Sequence, residues 1–301
     1  MLRHKRTISL AATAQLLWIV LITVTVTLPP CHAHTAILFG ASGTVGSEVL
    51  RALLANPSFW NEIILVGRRF PTLEDSSTRI TKVQVSDLAT VDQNKDLLQL
   101  EHVDACFNAV GAGYPQKLSL SDWYTVDVGI AASVARLCQQ IPGVSYISLL
   151  SAVTAETNPK PYTAEEMERY NPKKPMGWWG LLMQYDRIKG LAEQAVMSTT
   201  TSFNGHISLF QPSTIVTETE RYGWLDWTLF RVHPLVDPWL PPRYRSVKVQ
   251  LLGMAMAMDA QTYVQDSDDS SSKFTRSIRT MSKLSYLGYI YIVEEEPETV
   301  E

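Results

Sequence analysis

The chain has 301 residues, of which 46% are hydrophobic and 19% are charged, and its net charge is −4. This length and composition exclude an intrinsically disordered chain and suffice for one large α/β domain with its own core. The small negative charge, without a sustained basic stripe, argues against nucleic-acid binding as the main task.

The three cysteines are Cys31, Cys106 and Cys138, and no two of them form a CxxC pair. An odd number at these spacings suggests neither a disulfide framework nor a zinc site. Cys106 and Cys138 lie in apolar segments and are interpreted as small buried residues. No metal site is predicted.

The first 34 residues differ in composition from the rest of the chain. Residues 8–28 form an uncharged apolar run with basic residues only before it, and the run is long enough to span a membrane. Cys31 and Ala33 follow it at the spacing of a signal-peptidase site. Residues 1–34 are therefore predicted to be a secretory signal or a membrane anchor on the endoplasmic reticulum route, with a mitochondrial presequence as the alternative.

Residues 40–46 read GASGTVG between a strand-like run, TAILF, and a helix-like run, SEVLRALLA. A strand that enters a helix through glycines points backbone N–H groups and the positive helix end at one spot, which suits a pyrophosphate. Gly40 would make the tight turn, Gly43 would let the backbone approach the phosphate, and Gly46 would let helix pack on strand. The predicted dinucleotide contacts in this loop are Gly40, Ser42, Gly43, Thr44, Val45 and Gly46.

The second strand, NEIILVG, is followed by Arg68 and Arg69. An NAD site would place an acidic residue here to accept from the ribose 2′-hydroxyl. Two guanidinium groups instead suit a 2′-phosphate, so NADP(H) is predicted in preference to NAD(H). The alternative is that both arginines are solvated loop charges.

Strands and helices continue to alternate as far as residue 265, without an internal repeat or a low-complexity linker. The third strand ends at Asp87 and Leu88, where the adenine is expected. The fourth, VDACFNAVGAG, ends beside the expected cofactor and adds three contacts, Asn108, Ala109 and Gly111. The alternation predicts an α/β fold, a Rossmann-type doubly wound parallel sheet flanked by helices, in a single domain over residues 35–265.

Tyr185 and Lys189 form a Tyr-x-x-x-Lys pair within a helix-like segment, LLMQYDRIKGLAEQAVM. Residues four apart share a helical face, and a lysine ammonium there is expected to lower the pKa of the phenol and to bind the nicotinamide ribose. A second such pair, in YNPKK, contains a proline that interrupts a helix. Ser151, at the end of the fifth strand, is expected to hold the substrate oxygen beside Tyr185.

These features resemble the short-chain dehydrogenase/reductase superfamily, and most closely its atypical branch typified by the Tat-interacting oxidoreductase. The shared marks are GASGTVG, ILVGRR, LLS, YxxxKGxxE and QPS. The resemblance covers roughly residues 35–260 and implies NADPH as the nucleotide. It also implies Tyr185 as proton donor, Lys189 as ribose ligand and Ser151 as carbonyl holder. Asp127 stands where the superfamily has a helix asparagine that carries a proton-relay water.

Two segments are predicted to cover the substrate, a Pro-rich insert at residues 152–180 and a Trp-rich segment at residues 216–246. The aromatic residues indicate an apolar pocket or a patch resting on a membrane that residues 8–28 would reach. Core filling under long loops is the alternative. Residues 266–301 are predicted to be a C-terminal tail.

The sequence thus predicts an NADP(H)-dependent oxidoreductase that acts on a carbonyl or hydroxyl of a small, hydrophobic substrate. The alternative is an NADP(H)-binding regulatory or assembly protein that senses the nucleotide and presents its loops to a protein partner.

Overall fold

The computed structural model describes residues 33–72, 79–113, 115–169, 178–217, 235–268, 276–284 and 290–294. The predicted targeting segment lies outside these ranges except for its last two residues, and so does the YNPKK pair. Within the described ranges, no helix combines the length and the apolar character needed to cross a membrane.

The strands pair into one large sheet and one small one. In chain order they are β1 (His34–Phe39), β2 (Trp60–Gly67), β3 (Ile80–Gln84), β4 (Ala105–Asn108), β5 (Tyr146–Leu150), β6 (His206–Gln211), β7 (Ile215–Val216), β8 (Val247–Lys248), β9 (Arg276–Leu284) and β10 (Ile290–Glu294). The large sheet has the order β10-β9-β6-β5-β4-β1-β2-β3, and every pair in it except β9 with β10 is parallel. The chain order reverses between β1 and β4, which makes the ends of these two strands the switch point of a doubly wound sheet.

Helices cover both faces of the sheet. They are α1 (Thr44–Ala55), α2 (Lys95–Leu98), α3 (Leu120–Tyr124), α4 (Ile130–Gln140), α5 (Ala164–Arg169), α6 (Trp178–Thr199) and α7 (Val249–Asp268), and a π-helical turn, Thr125–Gly129, joins α3 to α4. Successive residues of β1 point to opposite faces. Ile37 and Phe39 pack in a cluster with α4 and α6, whereas Ala36 and Leu38 pack in a second cluster with α1 and α7. The predicted Rossmann-type single domain is confirmed.

The C-terminal segment differs from its prediction as a tail. β9 pairs with β6 and β10 pairs with β9, so residues 276–284 and 290–294 extend the sheet. The acidic and Ser-rich run before β9 obscured the strands, whose own apolar alternation is weak. Without β9, β6 would be an edge strand with unpaired backbone N–H and C=O groups, and these form the pairing site that β9 occupies, which no local sequence pattern indicates.

Cys106 and Cys138 form a disulfide between β4 and α4, which corrects the expectation of two unpaired buried residues. Both are fully buried, and their Cα atoms lie 6.3 Å apart. The odd cysteine count misled because Cys31 belongs to the N-terminal segment. The bond closes a loop over 32 positions and thereby fixes α4 on the strand beside the switch point.

Replacement of both Cys106 and Cys138 by alanine is expected to lower the free energy of unfolding by about 4 kcal/mol, because the unfolded chain regains the freedom of that loop. Urea unfolding with and without reductant checks this, and only the wild type should respond to reductant. Thiol titration of the unreduced, denatured wild type should find at most one of the three cysteines free. Three free thiols would refute the pairing.

The insert after β5 docks on α6 through Arg187. The guanidinium Nε donates to the carbonyl of Lys160 at 2.7 Å, and Nη1 lies 2.9 Å from Glu166 Oε1. The guanidinium carbon also stands 3.9 Å from the centroid of the Tyr162 ring. Hydrogen bonds from Arg187 and from the backbone of Thr163 lower the pKa of Glu166 to about 2. The described part of the insert is therefore clamped to the helix that carries the Tyr-x-x-x-Lys pair.

Glu166→Gln is expected to loosen this clamp, because it removes the charge that Arg187 binds. The Thr163 amide donates to Glu166 at 2.8 Å. In the wild type its exchange protection should persist above pH 4.5 and fall as the pH drops toward about 2, since a carboxylate with a lowered pKa contributes until it is protonated. Hydrogen–deuterium exchange, expressed as protection factors, measures this.

Glu165→Gln is the matched control, because its mostly exposed carboxylate pairs with Arg169 at 3.3 Å, outside the clamp. This variant should keep the protection of the wild type. Equal protection of Thr163 in the two variants would contradict the clamp.

Candidate active site

Three glycines shape the corner between β1 and α1. Gly40 has φ +84°, and a Cβ on it would lie 2.9 Å from the carbonyl carbon of Ala109. A Cβ on Gly46 would collide with the carbonyl oxygen of Gly40, so the helix approaches the strand as closely as only glycine permits. The amide of Gly43 donates to the same oxygen at 2.9 Å. The corner has the tight turn and the close helix packing that the glycine spacing predicts.

The start of α1 is open to an anion. Gly43 is its N-cap residue, no side chain caps it, and its first turn contains no acidic residue. The hydroxyl oxygen of Thr44 is buried and has no hydrogen-bond partner among the described residues. Uncapped N–H groups and the positive helix end are the groups that bind a diphosphate. The corner therefore fits a dinucleotide. Ser42 is exposed there, whereas the side chain of Val45 packs in the core.

The end of β2 lies beside this corner. Phe39 pairs with Val66, so Arg68 and Arg69 leave the sheet at the level of the first glycine. Both arginines are exposed. In a doubly wound sheet this end of the second strand is the one that faces the adenosine of a dinucleotide.

The segment after β3 uses its two predicted contact residues differently. The carboxylate of Asp87 accepts a hydrogen bond from the amide of Ala89 at 2.9 Å and caps the following helical turn. Leu88 is buried in the core cluster that contains α4 and α6. Of the two side chains, the exposed one of Asp87 is available to a ligand, whereas that of Leu88 is enclosed in the core.

The end of β4 meets the end of β1 at the switch point. The amide of Ala109 donates to the carbonyl of Phe39 at 3.1 Å. Asn108 is buried, and its Oδ1 accepts from the amide of Val110 at 3.1 Å. The asparagine therefore holds the backbone as it leaves the strand toward Gly111.

Tyr185 and Lys189 lie together on α6, one turn apart. Lys189 is only 7% exposed, and its Nζ lies 3.4 Å from Asp127 Oδ1. The same nitrogen is 5.7 Å from the centroid of the Tyr185 ring. A Cβ on Gly111 would lie 3.2 Å from Asp127 Oδ1 and 3.6 Å from Lys189 Nζ. The loop after β4 thus passes directly over the buried cluster.

Asp127 lies in the π-helical turn and binds three groups. Besides Lys189, it accepts from the indole nitrogen of Trp123 at 2.5 Å and from the amide of Ala112 at 3.1 Å. The rings of Trp123 and Tyr185 are 6.2 Å apart between centroids. Asp127 is the residue expected in place of the superfamily's asparagine. Its carboxylate holds the Lys189 ammonium, the Trp123 indole and the backbone at Ala112 in position.

The electrostatics of the pair differ from the prediction. Burial raises the pKa of Tyr185 and outweighs the lowering by Lys189, while Asp127 and Asp186 raise it further. The expected net lowering is therefore wrong for this structure. Burial lowers the pKa of Lys189, but Asp127 and Tyr185 more than offset this, so its pKa is raised and the ammonium stays charged.

Gly190, inside α6, marks a close approach between backbones. A Cβ there would collide with the carbonyl oxygen of Glu156. The amide of Glu156 in turn donates to the carbonyl of Asp186 at 3.0 Å. The glycine that weakens the helix in isolation lets the loop after β5 lie against the turn that carries Tyr185 and Lys189.

Ser151 is buried at the end of β5, and its hydroxyl donates to Glu193 Oε1. The amide of Gln211 donates to the same carboxylate, at 2.9 Å to Oε1 and 3.1 Å to Oε2. Glu193 is one turn beyond Lys189 on α6, and Gln211 is the last residue of β6. The structure thus joins the predicted serine to the Tyr-x-x-x-Lys helix through a carboxylate.

Sequence reasoning assigned no site role to three polar side chains found here, Trp123, Glu193 and Gln211, although the last two belong to the shared marks YxxxKGxxE and QPS. Two of them had a usable signal. Glu193 follows Lys189 at helical spacing, and Trp123 precedes Asp127 by the same interval. Gln211 ends a strand next to β5, but nothing in the sequence specifies that its amide reaches α6.

The predicted covering segments are described in part, at residues 152–169 and 235–246. Trp239 is 81% exposed and Leu235 is 68% exposed. Trp239 therefore does not fill the core, which was the alternative for the tryptophans. Trp224 and Trp227 lie outside the described residues.

Solved structures share this fold at low sequence identity. The enzyme WbmG of Bordetella bronchiseptica, in complex with NAD, is 12% identical with a TM-score of 0.51, covering 84% of this chain and 74% of that one. Its complex with NAD and UDP gives 13% identity, a TM-score of 0.50, and coverages of 83% and 74%. The PhqB reductase domain of Penicillium fellutanum is 12% identical with a TM-score of 0.52, covering 87% and 71%. No curated protein sequence matches the chain significantly.

The structures are too distant in sequence to assign a family, but a family model does so. The model of the NAD dependent epimerase/dehydratase family matches residues 36–221. The match begins in β1, includes the glycine corner and the Tyr185–Lys189 pair, and extends beyond β7. The chain belongs to the NAD dependent epimerase/dehydratase family.

Proposed function

We propose that this protein is a nicotinamide-dependent oxidoreductase. It transfers hydride to or from a carbonyl or hydroxyl carbon of a small, hydrophobic substrate and prefers NADP(H) to NAD(H). The observation that carries the proposal is the cluster of the partly buried Tyr185 with the buried Lys189 and Asp127 under Gly111, at the sheet edge that holds the glycine corner. The NAD-dependent enzymes of the family and the WbmG complexes with NAD support a nicotinamide cofactor.

The chain's own residues would hold the dinucleotide along this edge. Backbone amides at the start of α1 would bind the diphosphate, with the buried Thr44 hydroxyl as a further donor. The ammonium of Lys189 would bind the nicotinamide ribose, as the family resemblance implies. When bound, the dinucleotide supplies or accepts the hydride.

Tyr185 would deliver the proton in the reducing direction. The phenol, whose pKa burial raises, is protonated at neutral pH as in an ordinary tyrosine, and this is the form that a proton donor requires. The charged Lys189 then stabilises the phenolate left behind after the transfer. Asp127 holds the ammonium in place through its contact at 3.4 Å. The cluster is thus suited to protonating a carbonyl oxygen as hydride reaches the carbon.

The preference for NADP(H) is proposed from the two arginines after β2. Arg68 and Arg69 follow Gly67 where an NAD site would carry a carboxylate, and both are exposed. A guanidinium group offers the bidentate donor geometry that a 2′-phosphate accepts. The finer placement of the chain near the Tat-interacting oxidoreductase branch belongs to the same proposal and is supported by the shared sequence marks alone.

A second candidate is an NADP(H)-binding regulatory protein with little turnover. One observation favours it: the hydroxyl of Ser151 is directed at Glu193, and a substrate carbonyl would need that donor for itself. The two candidates differ in whether the phenol of Tyr185 does chemistry.

Tyr185→Phe is expected to reduce NADPH-dependent turnover of carbonyl compounds by about 100- to 10,000-fold, the usual contribution of a general acid. Nucleotide binding should be retained, because the ring keeps its packing beside Trp123. Turnover across a panel of aldehydes and ketones, together with fluorescence titration of NADPH, measures both quantities. Tyr263→Phe, at a partly buried tyrosine of α7 whose ring stacks on His206, is the control. Turnover unchanged in Tyr185→Phe would remove the catalytic assignment.

Arg68→Ala is expected to weaken NADPH binding about 10- to 100-fold and to leave NADH binding nearly unchanged, because it removes a charge-assisted contact to the 2′-phosphate alone. Equilibrium titration of both nucleotides checks the difference. Arg51→Ala removes an exposed arginine that pairs with Glu48 on α1 and serves as the control for net charge. Equal losses for the two nucleotides would show that Arg68 does not read the phosphate.

A further inference from the structure

The hydroxyl of Ser151 has one hydrogen, and its direction decides what the serine offers to a substrate. A serine hydroxyl donates once and accepts through its lone pairs. In the structure the hydrogen goes to Glu193 Oε1. The serine then presents only lone pairs to any other group, and these suit a substrate hydroxyl rather than a carbonyl oxygen.

Glu193 is held by groups from three elements. Ser151 faces it from the end of β5, and Gln211 donates from the end of β6 at 2.9 and 3.1 Å. Lys189 is the charged group that faces it on α6. Burial raises the pKa of Glu193, which outweighs the lowering by Ser151, Gln211 and Lys189. The carboxyl is therefore easier to protonate than an ordinary glutamate.

A protonated carboxyl reverses the hydrogen bond. Once Glu193 carries a proton from solvent, its O–H can donate to the oxygen of Ser151. The serine hydrogen is then free to donate to a carbonyl oxygen. The exchange moves one proton from solvent to the carboxyl and reorients one hydroxyl, and it needs no other reactant.

We propose that Glu193 is a positioning residue that sets the direction of the Ser151 hydrogen bond and so selects the form of the substrate oxygen. Ionised Glu193 makes Ser151 an acceptor for the alcohol, and protonated Glu193 makes it a donor for the carbonyl. This inference rests on the proposed function, because it assigns a substrate oxygen to Ser151. It also accounts for the serine's orientation without assigning the protein a purely regulatory role.

The first test needs no substrate. Carbon-13 NMR of the side-chain carboxyls gives the titration of Glu193, whose signal is the one lost in Glu193→Gln. The wild type should titrate above the ordinary glutamate range, and Ser151→Ala should raise the pKa further, because the serine donates to the ionised form. Ser198→Ala, at an exposed serine of the same helix that binds the carbonyl of Ala195, is the matched control and should leave the titration unchanged.

The second test uses the carbonyl compound of the panel with the highest turnover, and its alcohol. In the wild type, the ratio of the KM for the carbonyl to the KM for the alcohol should increase about five- to tenfold as the pH rises through the pKa of Glu193. This factor is the free energy of about one neutral hydrogen bond. In Glu193→Gln the ratio should be independent of pH, because a side-chain amide does not titrate in this range. A merely structural role would shift both KM values together.

The outcomes separate the two proposals. A Glu193 titration that Ser151→Ala leaves unchanged overturns the inference, whatever the enzyme does with carbonyls. The same holds if Glu193→Gln keeps the pH dependence of the wild-type ratio. If the wild type turns over no compound of the panel, the proposed function fails and the assignment of a substrate oxygen to Ser151 fails with it. The titration then still decides whether Glu193 and Ser151 are coupled.

Discussion

The buried pair of Lys189 and Asp127 is the interaction on which the site depends. A charge inside a protein must be paired, because removal from water otherwise costs several kcal/mol. The pair meets this requirement and ties α6 to the π-helical turn, whose carboxylate also binds Trp123 and the loop after β4. The position of the phenol on α6, and the path of the chain over it, follow from this contact.

The same arrangement links the two ends of the site. Gly111 passes over the ion pair, and the residues before it lie against the glycine corner at the switch point. A ligand that occupies the start of α1 therefore extends toward the phenol of Tyr185 along one sheet edge. The Arg187 clamp adds the loop after β5 to the same helix. The glycine corner and the Tyr185–Lys189 pair of this family member therefore lie along the same sheet edge.

Much of this was predictable because it is local in sequence. The glycine corner and the spacing of Tyr185 and Lys189 depend on neighbours within a few residues, and alternating strands and helices fix the class of sheet. What could not be predicted depends on distant partners. The bond between Cys106 and Cys138, the pairing of β9 with β6, and the approach of Gln211 to α6 each require the fold to exist first. The predicted direction of the Tyr185 pKa shift was wrong for the same reason, because the spacing of Tyr185 and Lys189 does not show how deeply the phenol is buried.

The π-helical turn, Thr125–Gly129, determines how the side chains of α3 are rotated about the helix axis relative to those of α4. A single extra residue in such a turn offsets the faces before and after it by about 100°. Trp123, before the turn, and Cys138, after it, both reach the same core cluster, where the indole binds Asp127 and the sulfur is bonded to Cys106. Deletion of one residue from this turn would rotate Trp123 relative to Cys138, so the indole–carboxylate contact and the disulfide could not both keep their present geometry.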